Sequence, residues 1–278
     1  MNRRCSFGDA GQEQGPGRPE GEAARAPDGR LFLEEDSAEP FEVHPVTRSC
    51  RRIFEHGDHL LIGVSAGNSY FSAERMSTLL HWAQSRFDRI DVLYVDTHID
   101  TMLEAQGSSP AQAAKHARSR LKDLRRRIRR AVENAAGSSA AITVRSLSEC
   151  TSLAGYTAVQ PAIDRLLAQD TYLMQACREQ VAALLGEGAG KPEDLDADSA
   201  VFKAGMAYIR AEFPFLLNTP QIVGARSSVT CYHKLMPVVE AVYRGREEAT
   251  RHPQQGFIVV RPTDRNPRER EMTSAPGA

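Results

Sequence analysis

Short apolar runs alternate along this chain with longer stretches in which apolar residues recur every three or four positions. The first run, Leu60-Leu61-Ile62-Gly63-Val64, is too short for a helix and reads as a buried strand. It passes through Ser65-Ala66-Gly67-Asn68 into a helical pattern at about 72–86, where Met76, Leu79, Leu80 and Trp82-Ala83 supply the apolar side. Residues 89–96 predict a second buried strand, about 109–135 a long helix, and 141–145 a short third strand. Helices fit 153–185 in pieces and 199–213, where Pro214 is expected to stop the last one. A small-residue strand precedes Tyr232, Ile222-Val223-Gly224 is a candidate strand, and 256–260 predicts a last one. Strand–helix–strand order of this kind predicts an α/β fold with a mainly parallel sheet. Ligands of such sheets sit at the carboxyl ends of the strands, where Ser65 would lie.

The flanks differ in kind. Residues 1–45 have few large apolar side chains, and 263–278 read the same way; both are expected to be disordered tails around one domain spanning 46–262. Composition is that of an ordinary globular chain, with 41% hydrophobic and 26% charged residues. A formal net charge of -1 gives no global attraction to polyanions, so any such attraction must be local. Five scattered cysteines without a C-x-x-C pair argue against a zinc ribbon or a disulfide framework. Arg3 and Arg4 are followed by no apolar core, and no stretch approaches the roughly twenty apolar residues of a membrane span. A cytoplasmic protein is expected.

Candidate chemistry begins at Gly63-x-Ser65-x-Gly67, the pattern of a nucleophile elbow, in which glycines permit a sharp turn that presents a hydroxyl. A serine at a helix N-terminus would also lie beside free backbone N–H groups able to stabilise an oxyanion; the alternative is that Ser65 only caps the helix. Tyr208 and Glu212 stand four apart and so share a helix face. The apolar run after Glu212 implies a carboxylate that must be paired, or serve as acid, base or amine-binding group. Tyr232 and His233 place a phenol and an imidazole side by side. Asp96-Thr97-His98-Ile99-Asp100 lacks a further His or Cys at ligand spacing, and no metal is expected.

From Lys115 to Arg130 the long helix carries nine Lys or Arg and one acid, Asp123. Ala117, Leu121, Leu124, Ile128 and Ala131 form a narrow apolar stripe. Lys122, Arg125, Arg126, Arg129 and Arg130 cover the opposite side, with Arg118, Arg120 and Arg127 at the flanks. Like charges at that spacing repel, which a merely solvated face would avoid by mixing signs. Without interleaved aromatics, the face suits the phosphate backbone of a nucleic acid rather than base readout.

Three readings compete. A serine hydrolase would use Ser65 and His233 but has no need of the basic helix. A non-catalytic RNA-binding protein would leave Ser65, Tyr208, Glu212 and Tyr232 idle. An acyl-transfer enzyme whose donor is carried on RNA uses all of them, and needs neither ATP nor metal because an aminoacyl ester is already activated.

Five segments in order resemble cyclodipeptide synthases, most closely the albonoursin-pathway type that makes cyclo(Phe-Leu). They are Gly63 to Ser72, Val92 to Asp100, Leu121 to Arg127, Ala207-Tyr208-x-x-Ala211-Glu212-x-Pro214 and Ser227-Ser228-Val229-x-Cys231-Tyr232-His233. The resemblance implies a Rossmann-like domain similar to the catalytic domain of class I tyrosyl- and tryptophanyl-tRNA synthetases. It implies a ping-pong scheme on two aminoacyl-tRNAs that yields a diketopiperazine, without cofactor, metal or membrane, in a monomer. Carried over by motif, Ser65 takes the first aminoacyl group, Tyr208 and Glu212 hold its α-amino group, and Tyr232 assists later proton transfers. Asn68 and His233 shape the site. Leu61, Gly63, Val95, Leu147 and Phe215 match the pocket for a large hydrophobic first residue such as Phe, Leu, Tyr or Met. Arg118, Lys122, Arg125, Arg126, Arg129 and Arg130 would hold the first tRNA. Phe215 replaces a Leu of the closest type, and Lys234-Leu235-Met236-Pro237 also departs from it.

Overall fold

A computed structural model describes residues 39–137, 140–185, 192, 195–245 and 250–263. The expected disorder of 1–38 and 264–278 falls outside them. Six strands among the described residues form one sheet in the order β1-β6-β5-β2-β3-β4. β2 (His59–Val64), β3 (Arg89–Tyr94), β4 (Ala141–Ser146), β5 (Ser228–Tyr232) and β6 (Gln255–Pro262) run parallel. β1 (Phe41–Pro45) pairs antiparallel with β6 at one edge. The domain therefore starts at least five residues before the expected boundary at 46. Pro45 is tolerated there because an edge strand has one unpaired side, and the two inward side chains of so short a strand leave little signal.

From β2 the chain builds outward through β3 and β4, then returns to lay β5 against the other side of β2. β2 and β5 thus bracket the point where strand order reverses, the crevice where parallel sheets bind ligands. Alternation along β2 divides its side chains. Leu60, Ile62 and Val64 are buried against α2 (Ala73–Gln84) and α4 (Pro110–Asn134), in a cluster with Met76, Leu80, Leu124 and Ile128. Leu61 and Gly63 face the other way, toward α9 (Ala200–Val223), and Ser65 follows in the same phase. Full burial of each such aliphatic side chain stabilises by about 1.5–3 kcal/mol, which locks the register that aims Ser65.

Two expectations about the chain after Ser199 are overturned. Pro214 does not stop the helix: α9 continues through Pro214 and Pro220 to Val223, with a kink at Asn218 (φ -150°, ψ 36°). Side chains take up the backbone groups freed near the kink. Thr219 donates its hydroxyl to Phe215 O at 2.6 Å, Gln255 accepts from Thr219 N at 2.9 Å, and Tyr156 donates to Ala211 O at 2.9 Å. Residues 213–220 are all buried, and that packing outweighs the proline penalty. Ile222-Val223-Gly224 is accordingly the helix end, capped by Gly224 in the left-handed region, and not a strand. Among the described residues no helix is long and apolar enough to cross a membrane.

Candidate active site

Ser65 lies immediately beyond β2, but not at a helix N-terminus as the elbow pattern suggested. A turn closes from Asn68 N to Ser65 O at 3.4 Å, with Gly67 at φ 84°, and α2 begins only at Ala73 with Ser72 as its cap. The hydroxyl therefore gains no support from helix N–H groups.

What surrounds Ser65 is phenolic. Tyr208 on α9 and Tyr232 at the carboxyl end of β5 both hydrogen-bond with its hydroxyl. Asn68 donates its side-chain N–H to the Tyr232 hydroxyl at 3.2 Å, and its Oδ1 accepts from Tyr70 N at 2.9 Å. Glu212, one turn after Tyr208, hydrogen-bonds to that phenol. Burial raises Glu212 to about 7, against an opposing pull from the Tyr208 hydrogen bond. Tyr208 is pushed well above its ordinary value by burial and by the Glu212 charge; Tyr232 is raised chiefly by burial. At neutral pH both phenols are donors, and the carboxyl between charged and neutral forms can accept or release a proton.

These groups open on a cavity of about 320 Å³. Its walls include Leu61, Gly63, Leu93 and Phe215 on one side and Ile209, Leu216, Met236, Val238 and Phe257 on the other. Gly63 contributes space, because a Cβ built there would meet nothing within 4 Å. An apolar cavity with a few convergent polar groups is the usual form of a small-molecule site.

The sequence profile described as "Cyclodipeptide synthase" matches residues 41–262, most of the chain and all of the sheet. The chain belongs to the cyclodipeptide synthase family. It is 41% identical over 215 residues to the cyclo(L-leucyl-L-phenylalanyl) synthase of Streptomyces noursei, spanning 77% of this chain and 89% of that one. It is 34% identical over 241 residues to a cyclo(L-tyrosyl-L-tyrosyl) synthase of Mycobacterium tuberculosis, spanning 87% and 82%. A crystal structure of cyclo(L-leucyl-L-phenylalanyl) synthase superposes with a TM-score of 0.72 at 39% identity, covering 80% of this chain and 99% of that chain. A Mycobacterium tuberculosis protein whose structure relates these enzymes to type I tRNA synthetases superposes at 0.71 and 33% identity, covering 81% and 94%. The Rossmann-like α/β fold expected from the resemblance is thereby established, and with it an aminoacyltransferase of the cyclodipeptide synthase kind.

Within this cyclodipeptide synthase the expected site residues divide. Ser65, Asn68, Tyr208, Glu212, Tyr232, Leu61, Gly63 and Phe215 all line the cavity. Val95 and Leu147 are buried one layer back, in the cluster that supports Leu61 and Phe215. His233 is not among the cavity-lining residues but lies directly behind one: its ring stacks on Tyr70 at 4.1 Å, packs on Phe71 and meets the Tyr232 ring at 4.3 Å. Burial, helped by Lys234 and Arg75, lowers it to about 4, so it is a neutral aromatic plate at pH 7. Gln180 and Thr230 in the cavity wall escaped the sequence reading. The signal for Gln180 was a lone amide in the apolar pattern of α8 (Thr171–Leu185).

The stretch from Asp96 to Asp100 is tied into the fold by its own hydrogen bonds. Asp96 accepts from Ser148 N at 2.9 Å and from its hydroxyl at 2.6 Å, and His98 (φ 62°) stands at the N-cap position of α3 (Ile99–Ala105) without a side-chain capping hydrogen bond. Among the described residues no group of three or more His, Cys, Asp or Glu is placed to hold a metal ion. Cys50, Cys150, Cys177 and Cys231 are buried and free.

On α4 the apolar stripe is buried as expected, except that Leu121 is half-buried. Arg118, Lys122, Arg125, Arg126 and Arg129 line a shallow surface groove, and Arg130 is exposed beside it. The signs are less segregated than the sequence count implied: Asp123 pairs with Arg126 at 2.9 Å and Arg127 at 3.0 Å, and Glu133 lies 3.7 Å from Arg129.

Proposed function

We propose that this enzyme condenses two aminoacyl groups, each delivered as a tRNA ester, through a covalent intermediate on Ser65. The observation that carries the reading is the setting of Ser65: a hydroxyl at the crevice between β2 and β5, contacted by two phenols, with a carboxyl near neutrality behind one of them. The Ser65 oxygen attacks the ester carbonyl of the first aminoacyl-tRNA. The new bond to Ser65 forms as the bond to the ribose oxygen breaks, and the serine proton ends on the departing tRNA. Tyr208 and Glu212 hold the α-amino group of the bound residue, a carboxyl near 7 being suited to hold an ammonium and then to take its proton. The amine of the second aminoacyl-tRNA then attacks the seryl ester, forming the amide and restoring Ser65. The free amine of the first residue next attacks the remaining tRNA ester, closing the six-membered ring and releasing the second tRNA. Tyr232, fixed by Asn68, assists the proton transfers of these later steps.

Leu61, Gly63 and Phe215 favour a large hydrophobic first residue, supported from behind by Val95 and Leu147. The exposed basic face of α4 supplies phosphate contacts for the first tRNA. A hydrolase reading is disfavoured by the position of His233, which stacks on Tyr70 outside the cavity. The test is to supply sets of charged tRNAs and search for diketopiperazines by mass spectrometry. Cyclic dipeptides containing Phe, Leu, Tyr or Met are expected; no product from any set would reject the reading.

A further inference from the structure

The arginines of α4 do not share one role. Arg125, Arg126 and Arg129 leave 54%, 56% and 72% of their side-chain surface exposed, whereas Arg127 leaves 20%. Its guanidinium turns inward and donates to two backbone carbonyls of the loop that follows Ser65. One is Phe71 O at 2.6 Å and the other Asn68 O at 3.4 Å. Asp123 holds the same side chain from the helix side at 3.0 Å.

That loop, residues 65–72, is neither strand nor helix, so few of its carbonyls have partners within secondary structure. Two arginines from different helices supply them: Arg127 as above, and Arg75, which donates to Tyr70 O at 3.1 Å. Asn68 is the link to chemistry. Its backbone is held by Arg127 while its side chain orients the Tyr232 phenol, which contacts Ser65.

We infer that Arg127 is a positioning residue for the reaction: it fixes the loop at Asn68 and Phe71 so that Tyr232 and Ser65 stay aligned, and it is not a tRNA-phosphate contact. The inference rests on the proposed use of charged tRNA. A loop displacement on the order of 1 Å at a reacting group lowers rate by about a hundredfold, whereas a lost phosphate contact weakens binding in a salt-dependent way.

The test compares Arg127→Met and Arg127→Lys with Arg126→Met in the full-length chain, measuring tRNA affinity across a salt series and product formation at saturating charged tRNA. For Arg127→Met the expected result is a kcat lower by about tenfold to a hundredfold, with tRNA affinity within about twofold and an unchanged salt slope. Arg127→Lys retains the charge but is shorter and lacks the Nε that meets Asp123, so it should show a smaller loss of kcat at wild-type affinity. Arg126→Met should instead weaken tRNA affinity and reduce the salt slope by about one. In an Asn68→Ala background, Arg127→Met should cost less than it does alone, because the two act through one phenol. Full kcat in both Arg127 variants, or a salt slope that falls as in Arg126→Met, overturns the inference while leaving the synthase reading intact. Absence of cyclic dipeptide from the wild-type enzyme overturns both.

Discussion

Glu212→Gln should stabilise the fold while abolishing the chemistry, and the pH at which it does so is fixed by the site. Burial holds the Glu212 carboxyl at about 7 against an ordinary 4.5. A raised value means that the folded protein binds the proton more tightly than the unfolded chain. The stabilisation linked to the protonated carboxyl is therefore complete below about 4.5 and is lost as the pH rises through about 7. At about 1.4 kcal/mol per tenfold change in proton affinity, the full difference is about 3 kcal/mol. One side of Glu212 opens on the cavity, where solvent screens the charge, so about 1–2 kcal/mol is expected to be realised. Glutamine keeps the shape and remains neutral. The variant should exceed wild type by that amount at pH 8 and by about a quarter of it at pH 5, a gain of about 3–6 °C in melting temperature at the higher pH. Thermal and urea unfolding of both proteins at the two pH values, with product formation measured in parallel, makes the check. A variant whose advantage is the same at both pH values, or is absent at pH 8, would refute the buried and raised carboxyl.

Gly63→Val places a side chain where a Cβ meets nothing within 4 Å, so the strand should fold normally while the cavity shrinks. Competition between charged tRNAs should show use of the largest first residues falling by about tenfold or more, with smaller residues spared; unchanged selectivity would remove Gly63 from the pocket. Replacing Arg125, Arg126, Arg129 and Arg130 with Gln should flatten the salt dependence of tRNA binding by about three in slope, read from affinities across a salt series. An unaltered slope would return that face to solvent.

The parts of this structure governed by short-range periodicity are legible in the sequence. The runs at 60–64 and 141–145 lie in strands β2 and β4, the run at 89–96 contains β3 and overshoots it by two residues, and the stripe Ala117, Leu124, Ile128, Ala131 is the buried face of α4. Tyr208 and Glu212 meet because four residues make one helical turn, whatever the tertiary context. What was missed depends on distant partners. Pro214 reads as a stop because a helix alone cannot satisfy its surroundings; α9 continues because Tyr156, Gln255 and a buried shell do so from outside. β1 exists because β6 offers it an edge. Ser65 reads as lying at a helix N-terminus from its small neighbours, yet seven residues separate it from the helix that Ser72 caps. Its real neighbours, Tyr208 and Tyr232, lie more than 140 positions away and share no sequence signal with it beyond the family resemblance. Arg127 looks like its neighbours in a charge count, and only the loop beside it distinguishes it.

The central claim is that Ser65 carries the first aminoacyl group. Its most direct test is the intact mass of the enzyme after incubation with a single charged tRNA such as Phe-tRNA. Wild type should gain the mass of one aminoacyl residue, mapped to the peptide containing Ser65 and discharged as cyclic dipeptide when a second charged tRNA is added. Ser65→Ala should gain nothing and form no product. An adduct of the same mass on Ser65→Ala, or product at the wild-type rate without Ser65, would contradict the covalent mechanism.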